Sequence, residues 1–281
     1  MTTVESADFL KGELKRIEKW EKDQKGLWFW EKIGRIPFMI LDKLTPKFIQ
    51  EKIGIMIDEL GSFIQTGGQY LISEKNILKK FNSRDSLVER EIISINQLEQ
   101  VALSQMDEVA NEIKNSRTNM ATIQGATTGI GGLFTLAIDI PILLGLSLKV
   151  LQEISLCYGY DPKNKSERIF IVKCLQFTSS DIVGKKAILE ELSAFNLDMQ
   201  NNRIISQLQG WREVVTTYRD NFGWKKLFQM VPIAGMIFGA FINRSSIVDV
   251  AETGMMLYRK RRIVERINQL EKLQGNLTSE N

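Results

Sequence analysis

The chain contains no histidine. That absence removes Ser-His and Cys-His nucleophile systems, most zinc and haem sites, and a histidine pH switch. It excludes more chemistry than any residue present supports. Cysteine is scarce as well. Cys157 and Cys174 are the only two, they lie in apolar helical stretches, and they match no metal or redox spacing. Buried thiols in a reducing cytoplasm are expected. An excess of one charge is also lacking: the formal net charge is +3, too mild to imply nucleic acid. The densest basic run, Arg259-Lys-Arg-Arg262, is followed by Glu265 and reads as a solvated helix face. The N-terminus lacks the basic and apolar regions of a secretory signal, so a cytosolic protein is expected.

Alternating strand patterns are missing too, whereas helical periodicity runs almost throughout. With 43% apolar and 25% charged residues over 281 positions, the chain falls in the globular range and has ample material for a core. The fold class is all-α. Phe9 to Lys22 reads as an amphipathic helix, and Trp28-Phe29-Trp30, flanked by Lys25 and Lys32, either as the hydrophobic anchor of a broken helix packed on the domain or as a membrane-interface segment, whose composition it shares. A helix is expected from Pro46 to about Tyr70, with a break at Gly67-Gly68. Another is expected from Ser86 to Asn119, with room for a break near Asn96. Further helices are expected at about Ser166–Ser180, Gly184–Phe195 and Arg203–Asn221. The chain divides into an N-terminal Trp-rich segment (1–45), a helical domain (46–274) and a frayed tail (275–281).

Two glycine-rich stretches are more informative. Gly125-Ala-Thr-Thr-Gly129-Ile-Gly131-Gly132 and Gly235-Met-Ile-Phe-Gly239 each carry glycines four apart within a nearly uncharged run. Glycines at that spacing share a helix face and let another backbone approach closely. Thr118 to Leu148 holds one charge, Asp139. As a single helix it would be roughly 46 Å long, more than the hydrocarbon core needs, with Asp139 and Pro141 inside it. A hairpin explains both residues. One helix then ends near Leu136 and a second begins around Ile140, with Asp139 as N-cap, Pro141 in the first turn and Gly159 as C-cap. The second stretch, Leu227 to Asn243, is at the lower limit for spanning a bilayer. Asn243, Ser245 and Ser246 are expected to form a polar turn and cap a final helix from Ile247 to about Leu273. The expected architecture is a multi-helix bundle with two Gly-rich hairpins packed as a central core. Gly125, Gly129, Gly131, Gly132, Pro141, Gly235 and Gly239 serve as helix-packing positions.

These motifs carry a resemblance. The two glycine runs, Asp139-Ile-Pro141, Glu153-Ile-Ser-Leu-Cys-Tyr158-Gly159-Tyr-Asp161-Pro162 and Pro232 to Asn243 follow one another in an order that resembles the EcsC protein family of bacteria. The resemblance runs from roughly Pro46 to Lys260. Before Gly125 the family pattern often has an acid where this chain has Gln124, so no role for an acid is carried over. The resemblance implies a mostly helical, cytoplasmic or membrane-associated protein linked to transport or the envelope, since the family takes its name from a gene beside an ABC-transporter operon. It supplies no catalytic residue.

An enzyme needs convergent reactive groups. Asp139 and Glu153 would lie about 21 Å apart on one helix, too far for a carboxylate pair. Asp161 before Pro162 reads as a turn device. No Ser-x-x-Lys step, nucleophile elbow or phosphate-binding loop is present. The expectation is therefore a non-enzymatic protein, peripheral on the inner face of the membrane or on a membrane protein complex, that binds lipid or a protein partner. It needs no metal, cofactor or nucleic acid. Asp139, Tyr158, Asp161 and Asn243 are the candidate binding residues. The alternative is a hydrolase or phosphate-ligand enzyme without a recognisable motif.

Overall fold

Ser6 begins the first helix by accepting the backbone N–H of Phe9 on its hydroxyl, which satisfies one of the free donors of a helix start. A computed structural model of the protein describes residues 5–24, 62–63, 66–67, 72–83, 92–129, 133–180, 182–198 and 232–279. The helices within them are α1 (Ala7–Asp23), α2 (Glu74–Asn82), α3 (Leu103–Gly129), α4 (Leu133–Cys157), α5 (Lys165–Ser179), α6 (Ile182–Asp198) and α7 (Pro232–Ser279). A 3-10 turn, Ile95–Gln100, precedes α3 and carries the capping box of Ser94 and Gln97. No strand occurs among the described residues, and the all-α expectation holds. The Trp28-Phe29-Trp30 anchor, most of the Pro46–Tyr70 helix, Gly131, Gly132 and the Arg203–Asn221 helix lie outside the described residues.

α7 is the spine. Its 48 residues extend for about 72 Å at about 1.5 Å per residue. It contacts α1, α3, α4 and α5, most extensively α3. Directions follow from the side-chain pairs. Arg259 meets Asp107, and Arg266 meets the carbonyl of Val101, so α3 and α7 run antiparallel. Extending that register places Gly125–Gly129 within about one turn of Gly235–Gly239 along the shared axis. Their immediate surroundings lie outside the described side chains. α1 is antiparallel to α7 as well, with Glu13 at Arg259 and Trp20 at Glu252. So is α5, with Glu167 at Arg261. α1 and α5 therefore stop near the level of residue 250 on α7. Among the described helices, only α3, α4 and α7 continue past it.

The core is a single apolar cluster, with Leu10, Ile17, Leu98, Leu103, Leu151, Ile154, Phe170, Phe177, Tyr158 and Tyr258 among its fully buried members. Packing is close where α7 crosses α4: a Cβ at Gly254 would lie 2.7 Å from Leu151 Cδ2. Cys157 and Cys174 are free and buried as expected, and burial pushes both thiols far above their ordinary range.

Three expectations need correction. α3 ends at Gly129 and α4 starts at Leu133, so the helix boundary comes earlier than Asp139. Asp139 is not an N-cap, and Pro141 lies in the ninth position of α4 rather than its first turn. Asp-x-Pro suits a helix start, but a proline is also carried within a helix where packing of that helix outweighs the hydrogen bond it removes. The second glycine stretch is not a hairpin at all, because α7 passes through Asn243, Ser245 and Ser246 without a break. Ser246 donates its hydroxyl to the carbonyl of Ile242 at 2.7 Å. A serine able to cap a helix can equally bond back one turn inside it, and here tertiary packing selects the second option. The last helix also passes Gly275 and is described to Ser279.

Candidate functional site

The turn after α4 is where most elements meet. Gly159 has φ +78°, a left-handed conformation that ends α4, and its N–H reaches the carbonyl of Leu156 at 2.9 Å. Asp161 then accepts the backbone N–H of Lys163 at 2.9 Å, which makes it the turn device its place before Pro162 suggests. The backbone carbonyl of Tyr158 accepts from Arg262 Nε at 3.0 Å and Nη2 at 2.7 Å. A Cβ at Gly159 would lie 2.9 Å from Arg262 Nη2. The glycine is thus required twice, by its φ and by that guanidinium.

The basic run of α7, expected to be a solvated face, is instead the centre of a charged core. Arg261, Arg262 and Arg266 are almost fully buried. Arg261 donates to both carboxylate oxygens of Glu167, at 2.8 Å each. Its guanidinium lies 4.1 Å from the Tyr160 ring centre and 4.4 Å from that of Phe170. Burial alone would lower its proton affinity, but hydrogen bonding and charge from Glu167 outweigh that and raise it. Arg259 binds Asp107 at 2.9 Å and Glu13 at 2.6 Å. Lys260 reaches Glu21 at 2.7 Å. Arg266 pairs with Glu5 and donates to the carbonyls of Glu99 at 3.0 Å and Val101 at 2.7 Å. Consecutive positions on a helix point about 100° apart, so four adjacent cations necessarily face several neighbours. That, with apolar Leu257, Tyr258 and Ile263 around them, was the available signal. Apart from Glu265, three positions from Arg262, the run's carboxylate partners lie more than ninety positions away, so locally it reads as a solvated face.

The candidate binding residues do not converge. Tyr158 is fully buried and donates its hydroxyl to Asp107 at 2.7 Å. Burial, then the Asp107 charge, pushes the phenol well above its ordinary range. Asp107 is raised chiefly by burial, against the lowering influence of Arg259. Asp161 sits in the turn, Asn243 is buried near the other end of α7, and Asp139 belongs to the first part of α4. Glu153, also in the family-like motif, forms a bidentate pair with Arg117 at 2.7 and 2.6 Å. Each of the three buried carboxylates among the described residues, Glu13, Glu153 and Glu167, is bound to an arginine. Such pairs hold elements together, and a carboxylate whose oxygens are taken up by a guanidinium within the core is not placed to accept a substrate's proton. Among the described residues, no cluster of three acids or thiols could hold a metal ion.

A second region has a different character. The far ends of α3, α4 and α7 expose large apolar side chains: Ile123 is 67% exposed and Phe241 68%, with Met120 and Ile142 nearly half exposed. Thr118–Gly129 and Pro232–Asn243 contain no charge, and Leu133–Leu148 contains only Asp139. No helix among the described residues is long and apolar enough to cross a membrane.

An all-helical bundle tied through an arginine-rich terminal helix to the Tyr-Gly-Tyr-Asp-Pro turn is the class of protein defined here. The comparison with known families makes it specific: the chain belongs to the EcsC protein family, whose sequence profile matches residues 11–263. It is 59% identical over 269 residues, 96% of this chain and 98% of the relative, to "Uncharacterized protein YdbA" of Bacillus subtilis (strain 168). It is 30% identical over 165 residues, 59% of this chain and 67% of the relative, to "Protein EcsC" of the same organism. No solved structure matches the fold.

Proposed function

We propose that the protein is a non-enzymatic helical module that associates peripherally with a membrane surface, on the cytoplasmic side, or with a membrane-bound complex such as a transporter. The observation that carries this reading is the exposure of Met120, Ile123, Ile142 and Phe241 at the uncharged ends of three packed helices. Exposed apolar side chains scattered singly are ordinary, whereas a contiguous group bordered by polar residues marks an interaction surface. The charged core plays the supporting part. Its ion pairs fix α7 against α1, α3 and α5, so the apolar end is presented on a rigid base.

Flotation of the purified protein with liposomes, and crosslinking in cells followed by recovery from the membrane fraction, test the reading. Co-flotation, or recovery of a membrane protein at wild-type expression, supports it. A protein that stays at the bottom of the gradient with every lipid mixture and crosslinks to no membrane component refutes it.

A further inference from the structure

We propose that the Gly-rich end of the bundle docks on an anionic lipid leaflet, burying Met120, Ile123, Ile142 and Phe241 at the headgroup–acyl boundary while Lys149 and Arg244 meet the lipid phosphates. The inference rests on the membrane reading above and names its surface and lipid class.

Three observations carry it. The first is how charge borders the apolar group. On α7, the first charge after Pro232 is Arg244, exposed and one turn from Phe241 on the same side of the helix. On α4, the first charge after Asp139 is Lys149, two turns from Ile142 along the same face. On α3 the boundary residue is Arg117, whose guanidinium pairs with Glu153 and touches Met120 Sδ at 3.1 Å. Each apolar patch is thus followed by a cation on the side toward the rest of the molecule. That arrangement matches acyl chains beneath phosphate headgroups. Arg117 is neutralised by Glu153, which leaves Lys149 and Arg244 as the cations facing the phosphates, and two like charges bordering the apolar side chains suit an anionic surface.

The second observation concerns hydroxyls. Thr122, Thr127, Thr128, Ser147 and Ser246 lie within or beside these uncharged stretches. Each donates to a carbonyl three or four residues back in its own helix, at 2.7 to 3.0 Å. Hydroxyls satisfied in this way do not need water, so little hydration is lost when lipid replaces solvent. The third observation limits the depth. No described helix can cross a bilayer, and Asp139 would oppose burial at the level of acyl chains. A contact about 5–10 Å deep suits both facts.

The test places an environment-sensitive fluorophore on single cysteines introduced as Ile123→Cys and Phe241→Cys in the full chain. Ile93→Cys serves as the control, since Ile93 is equally exposed but lies before the 3-10 turn, at the other end of α3. Cys157 and Cys174 are buried and stay unlabelled under native conditions. Vesicles are phosphatidylcholine with or without phosphatidylglycerol. The expected result is a blue shift and a rise in emission at 123 and 241 with anionic vesicles and no change at 93. Lys149→Glu with Arg244→Glu should weaken partitioning about tenfold or more, given that each basic residue near the surface contributes about one kT or two, with an unchanged melting temperature. Flotation without any change at 123 and 241 overturns this inference and leaves peripheral association standing. Equal binding to neutral and anionic vesicles, or an unaffected double charge reversal, overturns the anionic-lipid assignment. Absence of flotation with every mixture overturns the inference together with the membrane-surface reading beneath it.

Discussion

Replacing Glu167 by glutamine keeps the side chain's shape and one acceptor oxygen but removes the charge that balances Arg261. Both groups are almost fully buried, and both carboxylate oxygens accept at 2.8 Å. Removing one partner of such a pair leaves an uncompensated buried charge, which costs about 3–5 kcal/mol. At about 2–4 °C per kcal/mol for a domain of this size, the melting temperature should fall by roughly 6–20 °C. Replacing both partners, Glu167→Met with Arg261→Met, should recover much of that loss, because no orphan charge remains. The recovery is incomplete, since Arg261 also stacks between Tyr160 and Phe170 at 4.1 and 4.4 Å. A desolvated cation–π contact contributes about 2 kcal/mol, of which a methionine sulfur against the rings restores part. The assay is guanidinium denaturation followed by far-UV circular dichroism for the wild type, both single variants and the double variant. The slope m shows whether the transition is unchanged in kind. A loss below about 1 kcal/mol for Glu167→Gln, or a double variant less stable than the two single losses combined, would refute the argument that this pair is a buried lock.

Other outcomes follow from the same packing. Gly159→Ala is expected to cost about 2–4 kcal/mol, because a left-handed alanine is strained by about 1–2 and its Cβ would displace Arg262 from the Tyr158 carbonyl; thermal melts check it. Gly254→Leu should destabilise by up to about 3 kcal/mol through overpacking against Leu151. Gly145→Ala, with nothing within 4 Å of its Cβ, should gain about 0.5–1 kcal/mol; equal behaviour of the two would show that α4 and α7 are not tightly seated. Alkaline stability has a definite sign. Burial raises the folded-state affinities of Cys157 and Cys174 above 9.0 and of Tyr158, Tyr160 and Tyr258 above 10.0. The folded chain therefore holds protons that the unfolded chain releases, so stability is complete below about pH 9 and declines as pH rises beyond it. Melts between pH 8 and 11 test this, and Tyr258→Phe should flatten the decline.

Local sequence signals are decisive where short-range physics sets the structure. The amphipathic stripe of α1, the left-handed Gly159, the Asp161 turn and the burial of both cysteines all follow from neighbours within a few residues, whereas over residues 92–102 the helix expected from Ser86 gives way to a 3-10 turn. Asp139, Ser245 and Ser246 failed for the converse reason. Each is a residue type that caps helices, but capping competes with a continuous helix, and packing of α7 along α3 favours continuity. The buried arginines were invisible locally. Glu167 lies 94 positions from Arg261, and Glu5 lies 261 positions from Arg266, so no periodicity within one helix reveals the pairing. Tyr158 was singled out by its motif, yet its partners Asp107 and Arg262 come from two other helices.

The ion pairs between α1 and α7 also set a timetable for synthesis. Glu5 leaves the ribosome 261 residues before its cation Arg266, and Glu21 239 residues before Lys260; Glu13 and Arg259 are separated in the same way. At about 5–20 residues per second, that interval is on the order of 10–50 s. Throughout it these acids lack their α7 cations, although Glu13 has Arg16 within its own helix, so the contacts between α1 and α7 form only once α7 has emerged. A nascent chain of this design depends on α7 to complete the fold, and a ribosome stalled before residue 259 leaves a product in which the ion pairs between α1 and α7 cannot form.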